Sequence, residues 1–195
     1  MSILIIITLI LGILTGGAIP LGEAAWLDTL SSAILLILLF SVGIDIGLNK
    51  QVFRQIKMLG FKILLIPIGV AAGSLLGGLF LSMFVQESTK ECLAISAGLG
   101  WYSLSGILIT EAGYPVAGTI SFLSNVFREI LTFVCVPFVA KYLNYYCAIA
   151  PGGATAMDTT LPVISRNTNA KVAILAFTSG LTLTMVIPFL IPIFL

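Results

Sequence analysis

The sequence predicts an all-α, polytopic membrane protein of about seven transmembrane segments, and three observations lead to that fold class. Of the 195 residues, 59% are hydrophobic, and the mean hydropathy is +1.18. Only 9% of the residues are charged, against about 25% in a soluble domain. A membrane-spanning helix needs about 20 apolar residues, so the length allows at most roughly nine crossings. The chain has too few polar groups to cover a water-facing surface, and we expect one transmembrane domain over residues 1–195.

Apolar runs define the predicted segments in order along the chain. The first run follows Met1 without a preceding Lys or Arg, so we interpret it as a span rather than a secretory signal. In segment 3, Gly73 and Gly77 have the four-residue spacing that lets helices approach closely. Segments 1 to 3 cover about residues 3–19, 29–46 and 62–85, within the first part of the domain (1–85); segments 4 to 7 cover about 92–110, 116–140, 147–165 and 171–195, within the part (92–195) that carries the predicted site.

The short loops contain unequal numbers of basic residues, and cytoplasmic loops are the ones enriched in Lys and Arg. If all seven segments cross, this rule predicts a cytoplasmic N-terminus and an external C-terminus. The orientation requires segments 4 and 6 to cross fully, because one re-entrant segment reverses the side of everything after it. The basic loop residues are Lys50, Arg54, Lys57, Lys62, Arg166 and Lys171 on the cytoplasmic side, and Lys90 and Lys141 on the external side.

The residue inventory excludes several chemistries. The chain has no histidine, which removes His-dependent catalytic triads, His general bases and His metal sites. Cys92, Cys135 and Cys147 lack a C-x-x-C spacing and fall in apolar runs, so we interpret them as buried space-fillers and expect no metal site or disulfide. No basic cluster indicates nucleic-acid binding, and no Gly-x-Gly-Asp motif supports an intramembrane aspartyl protease. We therefore expect a protein that is not an enzyme.

Three ionisable residues lie near the middle of predicted segments, where a charge costs about 2.5–3.5 kcal/mol on insertion scales. Arg128 and Glu129 lie at the centre of segment 5, close to Asn125, and Asp158 lies in segment 6. Neighbouring helical residues point in different directions, so we expect Arg128 and Glu129 to face different partners or a shared water-filled cavity. A buried ion pair that locks two helices together is the structural alternative. For Asp158, and equally for Thr155, the alternative is a cap on a restarting helix.

Segments 4 and 6 both contain residues that interrupt helices. Proline removes a backbone donor and glycine lowers the cost of unwinding, and irregular backbone at membrane depth persists only where protein or water satisfies it. Paired interruptions of this kind mark substrate and ion sites in transporters. For the small and hydroxyl residues of segment 4, close helix packing is the alternative; Glu111 is either a gate or a solvated residue. The predicted helix-breaking residues are Gly98, Gly100, Pro151, Gly152, Gly153 and Pro162, and the candidate substrate- or ion-binding residues are Glu129, Asp158, Arg128, Asn125, Trp101, Tyr102, Ser103, Ser105, Glu111, Thr155, Thr159 and Thr160.

The central charges indicate what such a site would bind. Arg128, Glu129 and Asp158 have a formal sum of −1. A basic amino acid carries two ammonium groups and one carboxylate, and two separated acids with one guanidinium or helix N-termini complement it group by group. A site for inorganic cations or protons would use the same acids.

Two motifs resemble the signature of the LysO-type lysine exporters. The first is GLGWYSLSGIL at 98–108, followed by Thr110 and Glu111, and the second is GGATAMD at 152–158, followed by TLPV at 160–163. The resemblance covers roughly residues 36–195, and the first 35 more loosely. It implies lysine export across the prokaryotic plasma membrane, and acids important for translocation that correspond by position to Glu129 and Asp158. Family members are commonly longer at the N-terminus, so the resemblance also implies a small membrane partner or self-assembly into a homo-oligomer.

Export of a cation against a cytoplasm-negative potential needs an energy source, because it costs about 2.3 kcal/mol per charge per 100 mV. The sequence has no G-x-x-x-x-G-K-[ST] loop for a nucleotide. We therefore expect antiport with inward H⁺ or Na⁺ and no cofactor. The alternative function is a channel for small cations or an accessory membrane subunit.

Overall fold

A computed structural model describes residues 61–195, together with isolated helical residues between positions 7 and 44. Predicted segments 1 (3–19) and 2 (29–46) and most of the basic stretch 47–62 lie outside the continuous described part. Within residues 61–195 the chain forms helices, 3-10 turns and loops without a β-strand, so the predicted all-helical class is confirmed for this part.

Residues 61–195 contain six α-helices and four 3-10 turns, joined by loops. The helices are α1 (Leu65–Leu81), α2 (Thr89–Ser96), α3 (Tyr102–Glu111), α4 (Pro115–Tyr142), α5 (Leu161–Asn167) and α6 (Ala170–Leu190). The 3-10 turns are Phe61–Leu64, Cys147–Ile149, Gly153–Met157 and Ile191–Phe194.

Two of these helices are long and apolar enough to cross a membrane, and they fall where segments 5 and 7 were predicted. Helix α4 has 28 residues, which at 1.5 Å per residue is about 42 Å. Helix α6 and the 3-10 turn that extends it run over Ala170–Phe194, 25 residues. Both exceed the roughly 30 Å of a hydrocarbon core. Helix α1, with 17 residues, is apolar but shorter than predicted segment 3.

The regions of predicted segments 4 and 6 each contain more than one helical element. Helices α2 and α3 are joined by a non-helical turn at residues 97–101, called here the 97–101 turn. The 3-10 turn Cys147–Ile149 is followed by a stretch of turns that contains Gly153–Met157, called here the 150–160 segment, and then by α5. Helices α2, α3 and α5 have 8, 10 and 7 residues, so each is too short to cross hydrocarbon alone.

Two clusters of buried apolar side chains hold these elements together, and α6 contributes to both. The first cluster packs Leu99 of the 97–101 turn against Leu183 and Ile187 of α6. The second packs Ala156 of the 150–160 segment against residues of α4, α5 and α6 that include Ala176. Burial of these side chains fixes both irregular segments on the same long helix.

The close approach of α1 to its neighbour occurs at a different glycine from those expected. Among the described residues, nothing lies within 4 Å of a Cβ built on Gly73 or Gly77. A Cβ on Gly78 would lie 2.7 Å from the Cβ of Ser96 and 2.9 Å from the Cys92 carbonyl oxygen. The interpretation of Gly73 and Gly77 as a packing motif is therefore not supported in this part of the chain, and α2 packs on α1 at Gly78 instead.

Candidate functional site

The 97–101 turn and the 150–160 segment contact each other through their backbones. The N–H of Ala154 donates to the carbonyl oxygen of Leu99 at 2.8 Å. Three residues at this contact have positive φ: Leu99 at 49°, Gly100 at 102° and Gly153 at 58°. Left-handed conformations are easy for glycine and strained for other residues, so the two glycines shape the contact and Leu99 is held in it by the surrounding structure.

The contact leaves no room for side chains at either glycine. A Cβ on Gly153 would overlap the Leu99 carbonyl oxygen, and a Cβ on Gly100 would lie 3.0 Å from the carbonyl oxygen of Gly152. The sequence predicted these glycines as helix-breaking residues. Only the tertiary structure shows their second role, which is to let the backbones of two distant segments approach closely. We call this contact the crossing.

One face of α4 carries buried polar side chains, and Asn125 on this face contacts the crossing. Ser121, Asn125, Glu129 and Thr132 are at most 6% exposed and recur at helical spacing. Asn125 Oδ1 accepts from the N–H of Gly100 at 2.7 Å, and Asn125 Nδ2 donates to the Ser121 carbonyl oxygen at 2.9 Å. Its amide group also lies 3.3 Å from Ser105 Oγ. Asn125 therefore satisfies backbone of the 97–101 turn that lacks a helical partner.

Arg128 holds the other irregular segment. Its Nε donates to the Pro151 carbonyl oxygen at 2.9 Å and its Nη2 to the Ala150 carbonyl oxygen at 3.2 Å. Its Nη1 donates to Ser74 Oγ of α1 at 3.3 Å. Among the described residues these acceptors are all uncharged. These three hydrogen bonds of the guanidinium therefore go to the backbone of the 150–160 segment and to α1.

The two acids share one aromatic residue within electrostatic range. Glu129 is 6% exposed, whereas Asp158 is exposed at the end of the Gly153–Met157 turn. The Tyr102 side chain, in the first turn of α3, is within electrostatic range of both carboxylates. Its ring contacts Phe122 of α4 edge-on, with 5.7 Å between centroids. Tyr102, which directly follows the 97–101 turn, is thus the residue on which both carboxylates act electrostatically.

The hydroxyl groups of the 150–160 segment bind within the segment. Thr155 Oγ1 donates to the Gly152 carbonyl oxygen at 2.8 Å and lies 3.2 Å from Thr160 Oγ1. Thr159 donates to Asp158 through its backbone N–H and, at 3.3 Å, through its hydroxyl. These contacts stabilise a segment whose backbone forms turns and a 3-10 helix rather than an α-helix.

The structure contradicts the alternative interpretation of Thr155 and Asp158 as helix caps and the expectation that Pro162 breaks a helix. The residue that precedes α5 is Thr160, which makes no side-chain cap bond, and neither Thr155 nor Asp158 caps the helix. Pro162 lies in the first turn of α5. Proline is tolerated there because the first helical N–H groups have no intrahelical acceptor, so Pro162 begins a helix rather than interrupting one.

The remaining candidates on α3 are distributed along its length. Trp101 precedes the helix and packs against the first apolar cluster, and Ser103 is half-buried. Glu111 ends α3, about 14 Å from Tyr102 along the axis at 1.5 Å per residue, and is exposed. It lies in a groove of about 250 Å³ between α3 and α4, so it is not grouped with Glu129 and Asp158; the other lining residues are Gly106, Ile107, Thr110, Gly118, Thr119 and Phe122.

The chain that carries these motifs matches a known protein family over nearly its whole length. The family model of the lysine exporter LysO matches residues 6–195. The chain belongs to the LysO lysine exporter family. It is a membrane protein, as the composition and the two long apolar helices also indicate.

Two curated proteins of this family are similar to the chain. The lysine exporter LysO of Escherichia coli (strain K12) is 34% identical over 185 residues, which are 93% of this chain and 61% of that protein. A putative lysine exporter of Haemophilus influenzae is 32% identical over 161 residues, 83% of this chain and 82% of that protein. The chain thus spans less than two thirds of the E. coli LysO protein. No solved structure matches the chain significantly.

Two residues near the crossing were not among the candidates predicted from the sequence. Ser121 lies four residues before Asn125 on the same helical face, and its spacing was a usable signal. Ser74 is a lone hydroxyl in apolar α1, and nothing in the sequence near it indicates that it meets Arg128, which is 54 positions away. The described residues also bring together no group of three or more Cys, Asp or Glu side chains that could hold a metal.

Proposed function

We propose that the chain is a secondary active exporter of L-lysine and related basic amino acids across the prokaryotic plasma membrane. The observation that carries the proposal is that the carboxylates of Glu129 and Asp158 are both within electrostatic range of Tyr102, next to the 97–101 turn, in a chain of the LysO family. Burial of a carboxylate in a membrane protein is costly unless it meets a cation, and a basic amino acid supplies one.

The same proposal assigns the architecture. The 97–101 turn and the 150–160 segment are interruptions of membrane segments 4 and 6, in a bundle of about seven segments with a cytoplasmic N-terminus and an external C-terminus. Support comes from the positive-φ glycines and from the side chains of Asn125 and Arg128 that satisfy the freed backbone groups, as irregular backbone at membrane depth requires.

The charges at the site fit a basic amino acid. Two carboxylates at separate positions complement the two ammonium groups of lysine, while Arg128 donates to backbone carbonyls. One acid holds a proton or a Na⁺ ion while lysine is absent and releases it when the ammonium arrives. This exchange couples lysine export to inward flow of H⁺ or Na⁺.

Lysine efflux from proteoliposomes that contain the purified chain tests the proposal. We expect saturable efflux that is accelerated by an opposing pH or Na⁺ gradient, and loss of efflux in Glu129→Gln and in Asp158→Asn. Glu87→Gln is the matched control, because it removes a carboxylate from the loop between α1 and α2. Normal efflux in both acid variants, or efflux that responds to neither gradient, would contradict the proposed mechanism.

A channel or accessory membrane subunit is the alternative function. The observation that favours an accessory role is that the chain covers only 61% of the E. coli LysO protein. Exporter activity would then require a second membrane polypeptide or a homo-oligomer. Efflux by the purified chain alone, compared with efflux after co-reconstitution with membrane proteins of the same cells, separates the two; flux that does not saturate with lysine would indicate a channel.

A further inference from the structure

We infer that Arg128 is a positioning residue that holds the 150–160 segment against the 97–101 turn, and that it does not bind the carboxylate of the transported amino acid. The inference rests on the proposed function for its transport readout only. It changes the expected role of Arg128, which the sequence placed among the residues of the binding site.

The first step is the set of acceptors around the guanidinium. Nε and Nη2 donate to the carbonyl oxygens of Pro151 and Ala150, which follow the 3-10 turn Cys147–Ile149. Carbonyls at the end of a helical turn lack intrahelical donors and carry partial negative charge. A planar guanidinium satisfies two of them at once and compensates that charge.

The second step is the connection through α1. Nη1 of Arg128 donates to Ser74 Oγ at 3.3 Å, and Ser74 Oγ donates to the Ser96 carbonyl oxygen at 2.9 Å. Ser96 is the last residue of α2, immediately before the 97–101 turn. Arg128 and Ser74 therefore link the start of one irregular segment to the start of the other.

The third step is a second connection between the same two segments. The two segments are joined again at the Ala154 N–H and the Leu99 carbonyl oxygen, 2.8 Å apart. Nη2 of Arg128 lies 3.1 Å from a Cβ built on Gly153, so the guanidinium is packed against the crossing itself. A side chain held at three points in this way is set to maintain the shape of the crossing, not to follow a moving substrate.

The experiment compares three variants of the full chain. Arg128→Lys keeps the charge but replaces the planar fork by a single ammonium, which cannot reproduce the three contacts. Ser74→Ala removes only the connection to α2. Lys141→Gln is the matched control, since Lys141 is a cation of the same helix that lies in its exposed last turn.

The first readout is amide hydrogen exchange of the crossing in detergent, which needs no substrate. Because a hydrogen bond from a charged group typically contributes more than one factor of ten to an equilibrium constant, we expect the Ala154 and Gly100 amides to exchange at least about tenfold faster in Arg128→Lys. We expect a smaller increase in Ser74→Ala and no change in Lys141→Gln. Unchanged exchange in Arg128→Lys would overturn the inference.

The second readout is competition of lysine binding by 1,5-diaminopentane, which is lysine without its carboxylate. A positioning role predicts that the ratio of lysine to diamine affinity is the same in Arg128→Lys and wild type. A fall in that ratio of about tenfold or more would show a lost carboxylate contact, and it would overturn the inference. If the wild-type chain binds neither compound, the proposed function fails while the exchange measurement still decides the role of Arg128. Should Arg128→Lys fail to fold, Ser74→Ala carries the exchange test.

Discussion

Gly153→Ala perturbs the crossing at its tightest point. Gly153 has φ of 58°, and a Cβ there would overlap the Leu99 carbonyl oxygen, which accepts the hydrogen bond from Ala154. Gly113, in the turn between α3 and α4, also has a positive φ, of 96°, but nothing lies within 4 Å of a Cβ built there. The two alanine variants therefore differ in the close contact and share the backbone strain.

The expected destabilisation has two parts. The left-handed conformation costs an alanine about 1–2 kcal/mol in either variant, and Gly113 has the φ value less suited to alanine. In Gly153→Ala the methyl group must also displace Leu99 or the 150–160 segment, which opens the hydrogen bond between Ala154 and Leu99 and adds about 1 kcal/mol. We expect Gly153→Ala to lose about 2–3 kcal/mol and Gly113→Ala about 1–2 kcal/mol.

Equilibrium unfolding of the purified variants in mixed detergent micelles measures this difference, and lysine efflux from proteoliposomes measures its consequence. Under the proposed function, Gly153→Ala should also lose most of its efflux, whereas Gly113→Ala should retain it. The reasoning is refuted if Gly153→Ala unfolds with the same free energy as Gly113→Ala and its Ala154 amide stays protected from exchange.

Three further variants test other contacts. Asn125→Ala removes the acceptor of the buried Gly100 N–H and should lower the free energy of unfolding by about 1–3 kcal/mol. An unchanged free energy of unfolding, or an unchanged exchange rate of the Gly100 amide, would show that the bond is dispensable. Ser88→Ala removes the side chain that accepts from the Glu91 N–H at the start of α2, so we expect a loss of about 1 kcal/mol. Hydrogen bonds from the Ser88 side chain and backbone lower the pKa of Glu91. The stabilisation from the ionised carboxylate is therefore present above its unfolded pKa of about 4.3 and is lost as pH falls through the folded value. The free energy of unfolding between about pH 3 and 6 should depend less on pH in Ser88→Ala than in wild type, and identical profiles would contradict this. In Gly180→Ala the new Cβ would lie 2.5–2.6 Å from backbone atoms of the 150–160 segment. We expect this overpacking to lower the free energy of unfolding by about 1–3 kcal/mol in the same assay. Wild-type stability would mean that α6 and the segment are less tightly packed.

The sequence by itself determined the class of the protein and the identity of its unusual residues. An apolar composition with few charges indicates a bilayer environment, because a bilayer removes so much apolar surface from water, and apolar runs of about 20 residues predict that helices cross it. The 28-residue α4 and the long α6 follow from long, predominantly apolar runs. Glycine and proline clusters indicated where backbone would be irregular, since these residues change local conformational preference regardless of their neighbours.

The tertiary structure alone decided what those residues meet. Arg128 and Glu129 are adjacent in sequence, yet the guanidinium lies on carbonyls of the 150–160 segment while Glu129 is in range of Tyr102. Asn125 reaches a backbone amide 25 positions away, and Gly78 rather than Gly73 carries the close approach to α2. Such contacts join residues distant in sequence, and they depend on how helices rotate and cross when they pack. Local propensity contains no information about that geometry.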